Sequence, residues 1–161
     1  MTEYTMAVES FNITYPQMEP LYREHYAEMC ARLEENGQKC SPYNPRLDEY
    51  RKAAEAGTLI TIILRCHGAA VGYCNVYVTN DMHNHDRIAL EDTVFVTKAH
   101  RRGIGKKLVL FGIDRLRERG VKRLMVSSMT DLRMEKLWMR MGFKRLAVQM
   151  VYQFEVPNVP V

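Results

Sequence analysis

The sequence predicts a single α/β domain with a mixed sheet. Runs of β-branched and aromatic residues, which favour strands, alternate along the chain with segments whose apolar residues recur at helical spacing. The resulting order is β-α-α-β-β-β-α-β-α-β, which is typical of this fold class. The 161 residues are enough for one hydrophobic core, and we place the domain at residues 1–156 with a tail at 157–161.

Composition narrows the class of protein. The chain is 47% hydrophobic and 26% charged, which argues against disorder and against a fibre. Its net charge of +4 allows an anionic ligand but does not by itself indicate nucleic acid. No apolar run has the length of a membrane span and no secretory signal is recognisable, so we expect a cytoplasmic protein with no membrane contact. The four cysteines form no C-x-x-C pair, and we expect reduced, mostly structural thiols.

The N-terminal part is predicted to contain one strand and two helices. A partial alternation of apolar residues predicts a strand over 4–14. Pro16 and Pro20 bracket the entry to a helix over 21–36, and a second helix is predicted over 46–56.

Three consecutive strands are predicted in the middle of the chain. Residues 59–64 are almost all apolar and β-branched, which indicates a strand covered on both faces. His67 and Gly68 mark a hairpin turn, after which 70–78 pairs back, and 88–96 forms the next strand. The polar loop before it contains His83, Asn84, His85 and Asp86, and we interpret it as a turn rather than a metal site, since no further ligand is spaced to join it.

The C-terminal part alternates helices and strands. A helix is predicted over 104–119, with Gly120 in the position of a C-cap glycine. A strand over 122–128, a helix over 131–141 and a final, loosely alternating strand over 146–156 complete the domain.

The most informative stretch is the short basic loop that leads into the helix at residue 104. The first N–H groups of a helix have no partner within it, and the helix dipole makes that end positive. Gly103 and Gly105 lack a Cβ, so a bulky ligand can approach the backbone. Cations oppose the dipole there by roughly 0.3–1 kcal/mol each. Four of them nevertheless surround the helix start: Arg101, Arg102, Lys106 and Lys107. This pattern predicts an anion site, and a pyrophosphate is the natural candidate.

Two common phosphate motifs do not match this loop. A Walker loop needs a glycine where Lys98 stands and Ser or Thr where Lys107 stands. A dinucleotide fingerprint needs a glycine at Leu108. The alternative without a ligand is a solvated basic turn that enters a helix.

The loop resembles the acyl-CoA loop of the GNAT (GCN5-related) N-acetyltransferase family, which runs Arg/Gln-x-x-Gly-x-Gly/Ala between a central strand and a helix. Gly103 and Gly105 match, whereas the leading Arg/Gln falls on His100 and the loop is about one residue shorter than usual.

A second resemblance lies in the penultimate helix, where the family carries Asn-x-x-Ala-x-x-Leu-Tyr-x-x-x-Gly-Phe. Leu137, Gly142 and Phe143 match at the right spacing. Three positions depart, with Asp131 for Asn, Met134 for Ala and Trp138 for Tyr. The two motifs in this order are more specific than either one alone.

The resemblance implies a mixed, mostly antiparallel sheet of about six to seven strands flanked by about four helices. It implies an enzyme that moves an acetyl group directly from acetyl-CoA to a primary amine, without a metal, and the family's frequent dimers make a homodimer an option. It places the phosphates on 101–107 and pantetheine along 94–96. The implied cofactor-binding residues are Val94, Phe95, Val96, Arg101, Arg102, Gly103, Ile104, Gly105, Lys106, Lys107 and Trp138.

Two adjacent carboxylates in the central strand are the candidates for amine deprotonation, Glu91 first and Asp92 second. Family members often place a glutamate base in this strand, and neighbours in a strand point to opposite faces, so at most one faces the acceptor. An ion-paired strand end is the structural alternative. A backbone N–H near Phe95 or Val96 is the implied donor to the thioester carbonyl oxygen. The implied walls of the acceptor pocket include Tyr22, His25, Tyr26, Tyr43 and Tyr50, although ordinary core and surface roles are the default for most of them.

Trp138 stands where the family often has a tyrosine that protonates the leaving thiolate. An indole N–H donates a hydrogen bond but supplies no proton, so we expect Trp138 mainly to pack beside the cofactor. Solvent, Ser127, Ser128 or Tyr152 could supply the proton instead.

Two other functions remain open at this point. One is a CoA-binding or regulatory domain that has lost catalysis, and the other, less favoured, is a nucleic-acid-binding protein that uses the basic loop. The acceptor amine cannot be identified from the sequence.

Overall fold

The computed structural model describes residues 3–128 and 132–154. A five-stranded sheet runs in the order β1-β2-β3-β4-β5, with β1 to β4 antiparallel and β5 parallel to β4. The strands are β1 (Tyr4–Glu9), β2 (Leu59–Cys66), β3 (Ala69–Asn80), β4 (Arg87–Val96) and β5 (Arg123–Met125). The helices are α1 (Phe11–Glu35), α2 (Leu47–Glu55), α3 (Ile104–Glu118) and α4 (Leu132–Arg140), with a short 3₁₀ turn at Lys98–His100. The mixed, mostly antiparallel sheet that the sequence predicts is confirmed.

Both faces of the sheet are covered, as the apolar sequence of β2 predicts. Ile62 and Leu64 pack under α3 with Leu108, while Ile63 faces the other way and packs against Met18 of α1. All of these side chains are fully buried. The sheet therefore separates an α3 face from an α1/α2 face, and each face has its own apolar cluster.

Helix α1 is longer than predicted, because it begins at Phe11 and contains both prolines. Phe11, Tyr15, Met18 and Tyr22 recur at helical spacing and are all buried against the sheet. Pro16 and Pro20 are exposed, so the carbonyls that they leave unpaired can be hydrated. Burial of the aromatic stripe outweighs the two breakers, and the strand predicted over 4–14 ends at Glu9.

The final strand predicted over 146–156 does not form within the described residues. Residues 144–154 are irregular, and the segment's large apolar side chains are between 70% and 85% exposed. A strand is stable only when it is paired, and the free edge of β5 is three residues long. Among the described residues the sheet thus has five strands rather than six to seven, and the predicted order ends one strand early. The segment is tied to the α1–α2 loop, where Gln153 bonds both backbone groups of Lys39 at 3.2 and 3.1 Å.

The remaining boundaries are close to the predicted ones, except that β5 is shorter than 122–128. The predicted helix start at Asp131 lies outside the described residues, as does the tail at 157–161. The hairpin turn is confirmed, and His67 and Gly68 both have positive φ, as a two-residue turn of this kind requires. Among the described residues, no helix combines the length and the apolar run that a bilayer crossing requires.

Two cysteines are joined, contrary to the expectation of four reduced thiols. A disulfide links Cys30 near the end of α1 to Cys40 in the loop that follows, with a Cα–Cα distance of 5.5 Å. Cys66 and Cys74 are free and buried. Spacing alone could not reveal the pair, because it depends on how the loop folds back onto α1.

The disulfide should contribute measurably to stability. It closes a loop of sequence separation 10, and a cross-link of that size is worth about 2–3 kcal/mol. We expect the double variant Cys30→Ser/Cys40→Ser to melt roughly 5–10 °C lower than the wild type. Dithiothreitol should lower the wild-type melting temperature by the same amount and leave the variant unchanged. A wild type that ignores the reductant, or that titrates four thiols in denaturant, would contradict the bond.

A close approach between β3 and β4 fixes the register around the candidate site. A Cβ at Gly72 would lie 2.7 Å from the backbone oxygen of Phe95, which cannot move without breaking the ladder. We expect Gly72→Ala to cost roughly 1–3 kcal/mol in unfolding free energy. Gly105→Ala is the matched control, because its Cβ would meet only the Val96 side chain at 3.9 Å. Equal denaturation midpoints for the two variants would show that the contact is not a constraint.

Candidate active site

A bulge in β4 separates the two adjacent carboxylates. Asn75 of β3 lies opposite Thr93, but the next residue, Val76, lies opposite Glu91, which leaves Asp92 without a partner. Such an extra residue bends a strand and re-aims its side chains. As a result Asp92 and Thr93 both line a cavity on the α1/α2 face, whereas Glu91 lines a small apolar cavity on the α3 face. One carboxylate reaches each side of the sheet.

The cavity on the α1/α2 face has a volume of about 110 Å³ and mostly aromatic walls. All five wall residues suggested by the family resemblance line it, although core or surface roles were the default for most of them. Phe11, Tyr15, Tyr73 and Asn75 also line it, and the sequence analysis did not single these out. For Phe11 and Tyr15, the recurrence of aromatic residues at helical spacing in α1 was the sequence signal that could have identified them. The ring-bearing residues of the wall are Phe11, Tyr15, Tyr22, His25, Tyr26, Tyr43, Tyr50 and Tyr73.

Asp92 is held at the wall of this cavity by a tyrosine. The Tyr50 hydroxyl donates to both carboxylate oxygens, at 3.1 Å to Oδ2 and 3.4 Å to Oδ1. Burial raises the pKa of Asp92 above its usual value, and the Tyr50 hydrogen bond offsets this only in part. A carboxylate with a raised pKa and a fixed orientation is suited to accept a proton.

Three polar atoms in the cavity wall have no hydrogen-bond partner among the described residues. They are the Tyr22 hydroxyl, Asn75 Oδ1 and Thr93 Oγ1, none of which makes a hydrogen bond of ordinary geometry, although the Tyr22 hydroxyl lies near the Asn75 side chain and Thr93 lies near Asp92 and Tyr73. Asn75 is only 2% exposed, so no bulk solvent compensates its side chain. Burial raises the pKa of Tyr22 to about 12, which keeps that hydroxyl protonated at neutral pH. The wall therefore offers unsatisfied hydrogen-bonding atoms next to a carboxylate.

His25 is a neutral member of the wall. Its Nδ1 lies 2.8 Å from the Tyr73 hydroxyl, and its ring stacks on Phe95 at a centroid distance of 5.1 Å. Burial, aided by the positive charges of Arg32 and Arg101, lowers the pKa of His25 to about 4. His25 consequently carries no charge at neutral pH.

Glu91 has different partners from Asp92. Its Oε2 accepts a hydrogen bond from the backbone N–H of Ser127 at 3.1 Å, in the chain just beyond β5. Burial raises the pKa of this carboxyl as well, and the Ser127 N–H works against that rise. Glu91 therefore faces away from the aromatic cavity, and its position does not support the order of preference that the sequence suggested.

The edge of β4 is open beside these residues. Strand β5 pairs with β4 only from Ile88 to Leu90, so among the described residues no strand lies on that side of the backbone from Glu91 to Val96. Among the predicted cofactor contacts, Val94 is half-buried under α3, while Phe95 packs on the α1/α2 face. An extended ligand could pair with this free edge.

The open edge leads to the start of α3, which is uncapped. Gly103 is the N-cap residue with φ of +83°, and no side chain caps the helix. Among the described residues, no backbone carbonyl accepts from the N–H groups of Ile104, Gly105 or Lys106. A Cβ at Gly103 would meet nothing within 4 Å. These free amides and the open space fit a diphosphate, as the basic loop predicted.

The cations of the loop are not equivalent. Arg102, Lys106 and Lys107 are exposed, and no ion pair joins them to the described residues. Arg101, in contrast, donates from Nε to the Val96 carbonyl at 2.7 Å and pairs with Glu28 of α1 at 2.8 Å. Arg101 therefore anchors the loop to α1, and its guanidinium group is already bonded to protein atoms. Its predicted role as a phosphate ligand did not anticipate these bonds.

His100, at the leading position of the loop motif, also has a partner within the protein. His100 Nδ1 lies 2.9 Å from the hydroxyl of Tyr4 on β1. The residue that replaces the family's Arg/Gln thus joins the loop to the edge strand of the sheet.

Trp138 packs, as expected. It is 4% exposed, its ring contacts Phe143 at 5.2 Å, and its Nε1–H donates to the Ser127 carbonyl at 3.1 Å. It lines the small cavity on the α3 face together with Glu91 and Val94. Its polar atom holds the chain beyond β5 in place.

The polar turn between β3 and β4 is held by ion pairs. Asp86 pairs with Lys122 and Asp81 pairs with Arg123, both at 2.6 Å. These carboxylates fasten the turn to β5. Among the described residues, no three His, Cys, Asp or Glu side chains are grouped to hold a metal ion.

Solved structures of several acetyltransferases share this fold. A ribosomal-protein-alanine N-acetyltransferase from Brucella melitensis biovar Abortus 2308 superposes with a TM-score of 0.74 at 17% identity, over 96% of this chain and 99% of its own. The aminoglycoside N-acetyltransferase AAC(6')-Iy, bound to a CoA bisubstrate analogue, gives 0.71 at 14% identity, over 96% and 99%. Glucosamine-6-phosphate N-acetyltransferase from Arabidopsis thaliana gives 0.66 at 12% identity, over 95% and 99%.

Sequence comparison identifies the family. No curated protein sequence matches this chain significantly. A family model described as the acetyltransferase (GNAT) family matches residues 16–143, which include most of α1, the bulged strand, the glycine loop and Phe143. This chain belongs to the GNAT acetyltransferase family.

Proposed function

We propose that this protein is an acetyl-CoA-dependent N-acetyltransferase that moves the acetyl group directly to a primary amine. The observation that carries the proposal is the position of Asp92, a half-buried carboxylate in the wall of an aromatic cavity. It lies on the strand whose open edge leads to the uncapped start of α3. Strand β4 therefore connects a candidate base, Asp92, with an open edge that can bind a long anionic cosubstrate.

The chain's residues fit acetyl-CoA at both ends of that edge. The amides from Ile104 to Lys106, with the exposed Lys106, Lys107 and Arg102, would hold the diphosphate. The backbone of 94–96 would pair with the pantetheine amides. Bound acetyl-CoA supplies the thioester. The CoA complex of AAC(6')-Iy, which has the same fold, supports this assignment.

Asp92 is the residue that we assign to deprotonation of the amine. A lysine-like amine has a pKa near 10.4 and is almost wholly protonated at neutral pH, so a proton must leave before nitrogen can attack. Asp92 faces the cavity and Tyr50 fixes its orientation, whereas Glu91 faces the opposite side. We therefore assign the base to Asp92 and a structural role to Glu91.

Direct transfer follows from the state of the cysteines. Burial raises the pKa of Cys74 and keeps its thiol protonated, and Cys30 and Cys40 are joined in a disulfide. Cys66 is buried. None of these sulfurs is placed to carry the acetyl group, so the amine attacks the thioester in a ternary complex.

A CoA-binding domain without catalysis is the second candidate, and Trp138 favours it. The indole cannot protonate the leaving thiolate, which must then take its proton from solvent or leave as the anion. A free thiol has a pKa of about 8.5, so this departure slows but does not forbid the reaction. Release of free CoA thiol in the presence of an amine separates the two candidates.

The diphosphate assignment predicts a specific loss of cofactor binding. At a hundred times the Kd, acetyl-CoA, CoA and dephospho-CoA should each stabilise the protein by about 2.7 kcal/mol, or roughly 5–10 °C. Gly103→Glu should abolish all three shifts, because it places a carboxylate where the diphosphate binds. Gly37→Glu is the matched control, since Gly37 also has positive φ and open space around it. If Gly103→Glu responds like the wild type, the diphosphate lies elsewhere.

The assignment of Asp92 predicts opposite effects on rate and stability. Asp92→Asn should lower kcat/KM by about 10²–10⁴-fold, the usual contribution of a general base. Because burial raises the folded-state pKa of Asp92, the ionised form costs stability at every pH above that pKa. Asp92→Asn should therefore raise the melting temperature at pH 8, and the gain should vanish as the pH falls below about 4.

The adjacent carboxylate provides the control for this test. Glu91→Gln changes a group of the same kind whose pKa is also raised by burial, but it should keep kcat within about tenfold of the wild type at saturating acetyl-CoA. A loss of rate in Glu91→Gln alone, with Asp92→Asn unaffected, would show that Glu91 is the base.

A further inference from the structure

The aromatic cavity has features that specify its ligand more closely than the fold does. Its three unpartnered atoms, the Tyr22 hydroxyl, Asn75 Oδ1 and Thr93 Oγ1, can all accept a hydrogen bond. A buried polar group without a partner costs about 1–3 kcal/mol. Three such atoms around one cavity, beside the Asp92 carboxylate, suit a ligand that donates several hydrogen bonds. An ammonium group has three donors and no acceptor.

The charge of the cavity wall limits the ligand to one positive charge. Asp92 is the only acidic side chain among the described lining residues, and His25 is neutral at pH 7. Three cations close to the walls are already paired, Arg23 with Glu19 at 2.7 Å, and Arg32 and Arg101 with Glu28 at 3.8 and 2.8 Å. Among the described lining residues, a second ammonium group would find no further carboxylate, and a phosphate or carboxylate would find no Lys or Arg side chain.

Size and wall chemistry describe the rest of the ligand. A volume of about 110 Å³ is small beside the roughly 300–1,000 Å³ of pockets that enclose drug-sized ligands. The walls are mostly tyrosine rings, which favour apolar or aromatic groups and attract a cation over their faces. The walls therefore suit an amine whose neighbouring group is compact and apolar or aromatic.

We infer that the acceptor is a small monoamine, with its one ammonium group held at Asp92 and at unpartnered atoms of the same wall, and with a compact apolar or aromatic body against the tyrosine rings. This inference rests on the proposed function, because it names the substrate class of that same site. It separates this chain from the structural neighbours whose names specify an aminoglycoside or glucosamine 6-phosphate as acceptor. Those compounds carry several ammonium groups or a phosphate, for which this wall has no partners.

A set of amines that differ in charge tests the inference. With saturating acetyl-CoA, thiol release should give kcat/KM for 2-phenylethylamine at least about tenfold above that for spermidine, which adds two ammonium groups, or glucosamine 6-phosphate. The kcat/KM for L-phenylalaninamide should exceed that for L-phenylalanine by at least about tenfold. These two compounds differ at one group, which is a neutral amide in the first and a carboxylate in the second. A tenfold preference for spermidine, for an aminoglycoside, for glucosamine 6-phosphate or for a peptide that begins with alanine would overturn the inference.

A pair of isosteric variants tests the three-atom site itself. Tyr22→Phe removes one unpartnered hydroxyl, so it should weaken 2-phenylethylamine binding to the CoA complex by about three- to tenfold. It should also leave the melting temperature of the free protein unchanged or higher, a combination that a purely structural role would not give. Tyr77→Phe is the control, because Tyr77 is a half-buried tyrosine of β3 that does not line the cavity. If Tyr22→Phe, Tyr77→Phe and the wild type bind 2-phenylethylamine equally well, the three atoms do not form the amine site.

The outcomes distinguish failure of the inference from failure of the proposed function. If CoA binds and no amine is acetylated, the proposed function fails. Calorimetric titration of 2-phenylethylamine into the CoA complex then decides the inference alone: saturable binding that Tyr22→Phe weakens supports it, and no binding overturns it. If acetyl transfer occurs only to acceptors of another charge class, the proposed function stands and the inference is wrong.

Discussion

The bulge at Asp92 is the constraint on which the rest of the site depends. In a regular strand, Glu91 and Thr93 would share one face and Asp92 would lie alone on the other. The extra residue instead brings Asp92 and Thr93 to the same cavity. The pairing around it is held by the close contact of Gly72 with the Phe95 carbonyl and by the β3 partner Asn75, whose own side chain lines the cavity.

The residues that stabilise α1 on the sheet also line the aromatic cavity. Phe11, Tyr15 and Tyr22 bury apolar ring surface against β2 and β3, and each contributes an edge to the cavity wall. Tyrosines suit this double task because an apolar ring carries a polar group at its tip. Three of the six buried side-chain atoms that lack a partner among the described residues line this one cavity. Their concentration there is what a binding site requires and what a core avoids.

The sequence predicted the parts of the molecule that follow from local pattern. The strands of the central hairpin, the glycine loop and the start of α3 all have strong local signals, and the structure has them close to where they were expected. The length of α1 was missed because Pro16 and Pro20 act locally as breakers, whereas burial of the aromatic stripe is a tertiary effect. The disulfide, the final strand and the role of Arg101 also depend on contacts between distant segments. The choice between Glu91 and Asp92 could not be made because alternation in a strand gives no sign of a bulge.

Glu91 has a structural role in this arrangement that does not require contact with the amine. The Ser127 N–H donates to Glu91, and the Ser127 carbonyl accepts from Trp138. Both backbone groups of Ser127 are therefore used by side chains and are not available to extend the β4–β5 ladder, which ends at Met125. Continued pairing would close the edge of β4 to any extended ligand. Glu91 and Trp138 thus both fasten the chain at Ser127, just past the point where the β4–β5 ladder ends.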